Sequence, residues 1–311
     1  MRLMAPEQDE GQFVDLVRAR TRAQRGRRVV VVGGTPGVTP VLTALQQIPD
    51  DLRVDVILPV TAPGRAVQEL QKQFGFSSDQ IIYPTEADAV LYAELESGEL
   101  LEGVTAINYA SQGRIKDLFL SRDIRRVQVW EADRNGHSRS LSLKGYMPNV
   151  TERALETIAQ AELIIFAPGH MFTQVLPNLT QPRFAQAIRE SRAPKVFVMN
   201  LMTEPGRTDG WSVAEHLDAI RELTGVSMDY AIVHAGTISA TMRQQYENEG
   251  SRPVALKDLS EHQVSELIFA DTGQSTTLLN DTIILRDDLV TEAPQMVTFQ
   301  RSGDTVTREM P

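Results

Sequence analysis

The sequence contains no cysteine. The chain therefore forms no disulfide, thiolate zinc site or cysteine-ligated iron–sulfur cluster, and it has no cysteine nucleophile. It also lacks any apolar run approaching the roughly 20 residues that a membrane-spanning helix needs, and its first residues hold no apolar signal-peptide core. From these absences we expect a cytoplasmic protein with no membrane partner.

Basic charge is also scarce over the whole chain. Lys and Arg number 31 against 41 Asp and Glu, which gives a net charge of -10 and a pI near 5.1. An acidic chain repels nucleic acid and acidic membranes, so both are disfavoured as general partners. The exception is residues 1–28, predicted to be a basic lead-in helix or arm, either solvated or in contact with nucleic acid or anionic lipid. Its arginines are Arg18, Arg20, Arg22, Arg25, Arg27 and Arg28.

Four continuous apolar runs are the main indication of the fold. They are VVVV (residues 29–32), VDVIL (54–58), LIIFA (163–167) and KVFVMNL (195–201). Continuous runs, as opposed to alternating ones, are typical of parallel strands buried on both faces. With no Pro/Gly linker in between, we predict one α/β domain over residues 29–311, a Rossmann-like, doubly wound, mostly parallel sheet. Ligands bind such sheets at the carboxyl ends of the strands.

The middle of the chain predicts β-hairpin additions to this sheet. Residues 87–96 are a helix or an extended piece, and residues 104–108 (VTAIN) and 117–121 (DLFLS) are predicted strands. Asn135–Gly136 is the strongest short hairpin signal in the chain. Further on, Ser212 and Glu215 form a capping box that begins a helix, and Gly225 ends it.

The first candidate ligand contact is the turn after residues 29–32. Its candidate residues are Gly33, Gly34, Thr35 and Gly37. A strand, a glycine turn and a helix present free N–H groups and a positive dipole end, which suits phosphate. The sequence matches neither G-x-G-x-x-G nor a P-loop, and Pro36 removes one donor, so a glycine turn without a ligand is the alternative.

A second candidate loop follows residues 163–167. It contains Pro168, Gly169, His170, Phe172 and Thr173. The functional interpretation is contact with the phosphates or sugar of a nucleotide, and the alternative is a tight turn with Thr173 as a helix cap. A catalytic base at His170 is disfavoured, because the sequence names no partner for it.

The third candidate loop follows residues 195–201. Its candidate residues are Asn200, Thr203, Glu204, Gly206, Arg207 and Thr208. Loops on rigid scaffolds carry function disproportionately, and an arginine can pair with phosphate in a bidentate way. The alternative is a solvent-exposed Pro-Gly turn. His216 and His234 are predicted to be structural and no metal spacing is evident, although Mg²⁺ can arrive with a nucleotide.

Two long motifs resemble one family. Residues 167–179, APGHMFTQVLPNL, are similar to its signature GPGS-hydrophobic-aromatic-TS-x-x-PNL, with His170 in place of serine. Residues 200–220, NLMTEPGRTDGWSVAEHLDAI, are similar to a second run, NLMTQPGET-x-G-aromatic-S. The family is the CofD-like family, which includes 2-phospho-L-lactate transferases and gluconeogenesis factors, the latter also described as UDP-sugar-binding regulators. The resemblance implies a Rossmann-like fold and a nucleotide or nucleotide-sugar ligand at the three loops.

The sequence departs from the family where an acidic Asp-Asp/Asn-Gly-Gly-Ser-Ser-Gly loop normally stands. Residues 59–80 hold PVTAPGRAVQELQKQFGFSSDQ instead. In the transferases the acidic loop lines the acceptor and metal site. The resemblance therefore implies a cytoplasmic regulator of carbon or cell-envelope metabolism more than an enzyme. The alternatives are a transferase of a phospho-group from a nucleoside diphosphate carrier and a non-catalytic scaffold. A β-rich carboxyl-terminal tail is consistent with a homodimer, because it resembles an uncovered sheet edge.

Overall fold

The computed structural model describes residues 17, 27–48, 52–85, 89–109, 113–121, 124–131, 138–145, 148–234, 238–255, 277–279 and 282–287. The strands are β1 (Arg27–Val32), β2 (Leu52–Ile57), β3 (Ile81–Ile82), β4 (Val90–Leu95), β5 (Leu100–Glu102), β6 (Ile115–Ser121), β7 (Ile124–Glu131), β8 (Ser138–Gly145), β9 (Leu163–Phe166), β10 (Lys195–Val198), β11 (Tyr230–His234), β12 (Thr277–Leu279) and β13 (Thr282–Asp287). The α-helices are α1 (Thr35–Gln46), α2 (Ala66–Phe74), α3 (Gly103–Tyr109), α4 (Glu152–Ala159), α5 (Leu176–Leu179), α6 (Pro182–Glu190), α7 (Val213–Thr224) and α8 (Ala240–Asn248), and Met171–Val175 forms one π-helical turn.

The central sheet, within the described residues, has eight strands in the order β3-β2-β1-β9-β10-β11-β13-β12. Neighbouring strands are parallel, except that β12 runs antiparallel to β13. From β1 the chain moves outward to β2 and β3, and from β9 it moves outward in the opposite direction. The order therefore reverses between β1 and β9, which is the switch point where such sheets bind ligands. The predicted Rossmann-like fold is confirmed.

Both faces of the central sheet are covered by helices. Val29 and Val31 pack with α1 and α2, whereas Val30 and Val32 pack with α4 to α7 on the other face. All four side chains are at most 2% exposed. Because successive residues of a strand point to opposite faces, burial on both faces requires an apolar residue at every position. This requirement explains the continuous runs in the sequence.

The middle of the chain adds two small antiparallel sheets. One has the order β5-β4-β6, and the other is the hairpin of β7 and β8. Leu91, Leu118 and Leu120 belong to the same apolar cluster as Val30, so the three-stranded sheet packs on the central one. The predicted hairpin is confirmed by its strand pairing, while Asn135–Gly136 lies outside the described residues.

One predicted strand is a helix. Residues 104–108 form most of α3, in which Ile107 is buried and Val104, three residues earlier, is half-buried. Val, Thr and Ile favour strands, but five residues are too few to separate a buried strand from a helical turn by pattern alone. Packing against the three-stranded sheet decides the conformation here. The segment at residues 87–96, left open between helix and extended chain, is extended as β4.

The basic segment and the carboxyl-terminal tail are described only in part. In the basic segment, Val17 is buried, Arg27 and Arg28 begin β1, and Arg28 pairs with Asp55 at 3.0 Å. Residues 1–16 and 18–26 lie outside the described residues, as does most of the tail proposed to form a dimer edge. The described parts of that tail are β12 and β13, and β12 ends the strand order of the central sheet. Among the helices that the structure describes, none combines the length and apolarity needed to cross a membrane.

Candidate functional site

Three loops lie side by side at the carboxyl edge of the central sheet. We call residues 33–37 the first turn, residues 167–173 the second turn and residues 199–208 the third loop. They leave β1, β9 and β10, which are neighbours in the sheet. The first and second turns flank the switch point, and the third loop lies beside the second turn. The predicted convergence of the three loops is therefore present.

The first and second turns are in close backbone contact. A Cβ atom on Gly37 would lie 1.6 Å from the carbonyl oxygen of Pro168, and one on Gly33 would lie 2.8 Å from the Cβ of Ala167. Real Cβ atoms do not approach other atoms so closely. Gly33 and Gly37 therefore allow the two turns to pack on each other. The sequence had led us to expect that the same glycines allow close approach of a ligand.

The amino terminus of α1 opens at this edge with unused donors. Gly34 is its N-cap, and no side chain caps the helix. Among the described residues, the N–H groups of Gly34 and Thr35 have no acceptor, and the buried hydroxyl of Thr35 has no hydrogen-bond partner. The first turn of a helix carries a partial positive charge from its macrodipole. An anion is the ligand that these groups suit best.

The second turn is tied to the third loop by side chains of the latter. Asn200 accepts a hydrogen bond from Gly169 N–H at 2.7 Å and donates to the Gly169 carbonyl at 2.9 Å. Glu204 accepts from the N–H of Met171 at 2.7 Å and from Asn200 Nδ2 at 3.3 Å. These bonds fix the second turn in one position relative to β10.

His170 has a partner that the sequence did not indicate. Its Nδ1 lies 3.2 Å from Glu204 Oε2, with the imidazole 44% exposed and the carboxylate 11% exposed. Burial opposes the protonation of His170, but the hydrogen bond and charge of Glu204 outweigh it and raise the pKa of the imidazole above its ordinary value. The two residues are 34 positions apart, and only the adjacency of β9 and β10 brings them together.

Gln174 occupies the space between the first and second turns. A Cβ on Gly169 would lie 2.4 Å from Gln174 Oε1, and a Cβ on Gly34 would lie 3.0 Å from Gln174 Cδ. The amide oxygen accepts a long hydrogen bond of 3.3 Å from the N–H of His170. Sequence reasoning missed Gln174, although the signature quoted above has serine at this position, which was the available signal.

Three other candidate residues are held within the protein. Thr173 donates to Asn108 Oδ1 at 2.8 Å, and Phe172 is 4% exposed with its ring 6.1 Å from that of Trp211 in an edge contact. Arg207 donates from Nε to the Ile107 carbonyl and from Nη1 to the Gly206 carbonyl at 2.7 Å. Burial also lowers the pKa of Arg207. Its guanidinium is thus built into loop packing.

The remaining candidates stabilise the third loop itself. Thr208 Oγ1 accepts from Glu204 N–H at 2.8 Å, Thr203 Oγ1 accepts from Arg252 N–H at 3.0 Å, and Gly206 N–H donates to Asp209 Oδ2 at 2.6 Å. Hydrogen bonds therefore link Gly169, His170, Asn200 and Glu204, and Gln174 lies between Gly169 and Gly34. We call this part of the switch point, together with the adjoining Thr35, the crevice. Gly33, Gly37 and Pro168 form the contact beneath it.

A cavity of about 320 Å³ lies beside the third loop, at the carboxyl ends of β10 and β11. Its walls include apolar residues such as Met199 and Val213, together with Asn200, His234 and Arg243. Asn200 lines this cavity and is also hydrogen-bonded to Gly169 in the second turn, so the cavity lies next to the crevice. His234 and Arg243 are further site residues that sequence reasoning did not select for ligand binding.

No described group of three or more His, Asp or Glu side chains is arranged to hold a metal ion. His216 is 1% exposed and donates from Nδ1 to the Ser212 carbonyl at 2.8 Å. The predicted capping box of Ser212 and Glu215, with Gly225 at the other end, is present in α7. His216 therefore has a packing role beneath the third loop.

Comparison with known proteins identifies a family whose model matches most of the chain. Residues 60–271 match the model of the family described as 2-phospho-L-lactate transferase CofD. The gluconeogenesis factor of Halalkalibacterium halodurans is 30% identical over 205 residues, covering 65% of this chain and 55% of the relative. That of Bacillus subtilis is 29% identical over 190 residues, covering 61% of this chain and 52% of the relative. The chain thus spans little more than half the length of these curated relatives.

A crystal structure of a protein from Bacillus halodurans, also described as a member of the UPF0052 family, shares the fold. The alignment covers 86% of this chain and 97% of that one, with a TM-score of 0.58 and 22% identity. Similarity at this level of identity supports the architecture alone. The family match over residues 60–271 is more specific and covers more than half of the chain. The protein belongs to the CofD-like family.

Proposed function

We propose that this protein is a cytoplasmic nucleotide- or UDP-sugar-binding regulator of the gluconeogenesis-factor type. One observation carries the proposal. The uncapped amino terminus of α1 lies at the switch point between β1 and β9, and the N–H groups of Gly34 and Thr35 have no acceptor among the residues that the structure describes. Helix termini in this position attract phosphate through their N–H groups and dipole.

The adjacent cavity offers room for the rest of such a ligand. Its volume of about 320 Å³ falls within the range of small-molecule pockets. Apolar walls suit a base or sugar ring, while Asn200, His234 and Arg243 supply polar groups that can fix its orientation. In this arrangement the phosphates lie at the first turn and the base or sugar lies beside β11. Mg²⁺ then enters with the nucleotide, since no described side-chain cluster would hold it alone.

The regulatory part of the proposal comes from the relatives. The Halalkalibacterium and Bacillus subtilis proteins are called gluconeogenesis factors. A role in carbon or cell-envelope metabolism, acting as a monomer or a homodimer, is therefore proposed for this chain by analogy. The second candidate is a transferase, because the family model is described by 2-phospho-L-lactate transferase. The third is a scaffold that binds partners without a nucleotide.

A thermal-shift screen tests the binding. The probes are UDP-glucose, UDP-N-acetylglucosamine, GDP, NAD and inorganic phosphate, each with and without Mg²⁺. A ligand at a hundredfold its dissociation constant adds about 2.7 kcal/mol of stability, which raises the melting temperature by several degrees. Absence of a shift with every probe would favour the scaffold.

A pair of matched variants then locates the site. Thr35→Asp places a carboxylate at the start of α1, where it stabilises the helix but repels a phosphate. Thr43→Asp adds the same charge to an exposed position two turns later in α1. We expect Thr35→Asp to melt no lower than the wild type and to lose the ligand-induced shift. Thr43→Asp should retain that shift, and an equal effect of both variants would place the ligand elsewhere.

A further inference from the structure

The pairing of His170 with Glu204 has the geometry of a proton-transfer site. Glu204 Oε2 lies 3.2 Å from His170 Nδ1, while Glu204 Oε1 accepts from Met171 N–H at 2.7 Å and from Asn200 Nδ2 at 3.3 Å. The carboxylate is thus fixed before it meets the imidazole. A carboxylate that holds Nδ1 orients the ring and leaves Nε2 as the reactive nitrogen.

The opposite edge of the imidazole is accessible. His170 is 44% exposed at its side chain, and no described residue forms a hydrogen bond with its Nε2. The buried His216, by contrast, is 1% exposed and presents neither ring nitrogen to solvent. His170 instead offers one nitrogen to the protein and the other to whatever occupies the crevice.

His170 also borders the proposed phosphate position. Its own N–H bonds Gln174 Oε1, and the Gln174 amide lies against Gly34 at the start of α1. Glu204 is the charged group that acts on the imidazole. Gln174, which bonds the backbone N–H of His170, and Asn200, which bonds Glu204, are both uncharged. The imidazole therefore has one charged orienting partner.

We propose that His170 is a general base, positioned by Glu204, for attack of an O–H nucleophile on a phosphorus atom of the bound nucleotide. The proposal rests on the nucleotide binding proposed above and adds a reaction to it. Transfer to a hydroxyl needs a base or a metal, and residues 59–80 lack the acidic loop that lines the metal site of the transferases. The His170–Glu204 pair supplies the base from other parts of the chain.

The nucleophile oxygen forms a bond to phosphorus, its proton passes to Nε2 of His170, and the imidazolium is stabilised by Glu204. The bond between phosphorus and the bridging oxygen breaks, and its electron pair leaves with the departing phosphate. The imidazolium then returns its proton to the departing group or to solvent. Water as nucleophile gives hydrolysis, and an alcohol gives a new phosphodiester or phosphomonoester.

Phosphorus NMR measures the reaction on the intact 311-residue chain. UDP-glucose, UDP-N-acetylglucosamine, GDP and NAD are incubated separately with Mg²⁺, with and without glycerol as an alcohol. Hydrolysis products appear in both arms if water is the nucleophile, whereas an ester resonance appears only with glycerol if an alcohol is required. Binding of each probe is followed by thermal shift on the same preparations, so that failure to bind and failure to react are separate results.

Two variants test the roles of the pair. His170→Ser, which restores the residue of the family signature, should lower the rate at pH 7.5 by about a hundredfold or more and leave a ligand-induced thermal shift. Glu204→Gln keeps an acceptor for Met171 N–H but removes the charge. We expect a smaller loss of rate and an acid limb of the pH–rate profile displaced to lower pH, because the carboxylate no longer favours the protonated imidazole. A merely structural role for Glu204 would not move that limb.

Arg183→Gln, which removes only an exposed ion pair with Glu152, should leave the rate unchanged. Binding without turnover of any probe would overturn the proposed reaction and leave the proposed binding intact. Turnover that survives His170→Ser would overturn it as well. Absence of binding to every probe would overturn both proposals together.

Discussion

The side-chain amide of Asn200 binds both polar backbone atoms of Gly169, accepting from its N–H at 2.7 Å and donating to its carbonyl at 2.9 Å. The backbone pairing of β9 with β10 ends at Phe166 and Phe197. Beyond that point, these two side-chain hydrogen bonds take the place of backbone hydrogen bonds. The second turn and the third loop are therefore held together through this side chain. The same amide also reaches Glu204 and lines the neighbouring cavity.

Removing the Asn200 amide should destabilise the protein. Asn200→Ala leaves the N–H and carbonyl of Gly169 without these partners, and such a loss costs about 1–3 kcal/mol. Urea unfolding followed by circular dichroism measures the change. Asn248→Ala is the control, because Asn248 lies exposed at the end of α8 and accepts one hydrogen bond from Gln244. Equal stability of Asn200→Ala and wild type would mean that the turn is held by other contacts.

The contact between Gly37 and Pro168 predicts a second stability difference. Gly37→Ala would place a methyl group 1.6 Å from the Pro168 carbonyl oxygen, so the two turns must separate. Overpacking of this kind costs about 1–3 kcal/mol. Gly64→Ala is a matched control, since a Cβ at Gly64 meets nothing within 4 Å. It should be neutral or more stable by up to about 1 kcal/mol, as the unfolded chain loses freedom. Equal unfolding midpoints for the two variants would contradict the contact.

The sequence was sufficient for the architecture because the sheet imposes a local requirement. A strand covered on both faces needs an apolar residue at each position, and residues 29–32 and 163–166 meet that requirement without reference to the rest of the chain. The same reasoning is weaker for residues 104–108. There the choice between strand and α3 depended on the three-stranded sheet beside it, which is a tertiary effect.

The site was predictable only in part for a similar reason. Loop positions follow from strand ends, so the three loops were placed correctly. The direction of each side chain depends on partners distant in sequence. Arg207 was selected as a phosphate ligand but is hydrogen-bonded to the Ile107 carbonyl, 100 positions away. His170 was selected for ligand contact but was disfavoured as a base, because its partner Glu204 could not be named. Neither relationship has a spacing that a pattern could reveal.

The position of Gln174 predicts an effect on affinity. Its amide occupies the space between Gly34 and Gly169, so a phosphate entering the crevice must displace it. Gln174→Ser removes this competitor, and the gain should correspond to about one net hydrogen bond, or roughly two- to tenfold tighter binding. Calorimetric titration with inorganic phosphate and GDP measures the change. Gln186→Ser on the exposed face of α6 is the control. Weaker binding by Gln174→Ser would indicate that the amide itself contacts the ligand.

The buried His216 should make the folded protein less stable at acid pH. Burial lowers its pKa in the folded protein, although the Ser212 carbonyl and the charges of Glu204 and Glu215 act in the opposite direction. The unfolded chain, with an ordinary histidine pKa near 6.5, then binds a proton more readily than the folded one. Stability is therefore complete above about pH 6.5 and falls as the pH drops below it, with a slope of at most about 1.4 kcal/mol per pH unit from this residue.

Protonation of His170 affects stability in the opposite direction to protonation of His216, so variants of the two residues can distinguish their effects. Its raised folded pKa contributes stability below the unfolded value, and that contribution is lost as the pH rises through the folded pKa. Urea unfolding between pH 5.5 and 7.5 (chosen around the ordinary histidine pKa of about 6.5) measures both effects. His216→Gln should flatten the acid loss, because its side chain does not titrate. His170→Ser should increase the loss of stability between pH 7.5 and pH 5.5, because the variant lacks the stabilising protonation of His170 that partly offsets that loss. An unchanged pH dependence in His216→Gln would assign the acid sensitivity to other groups.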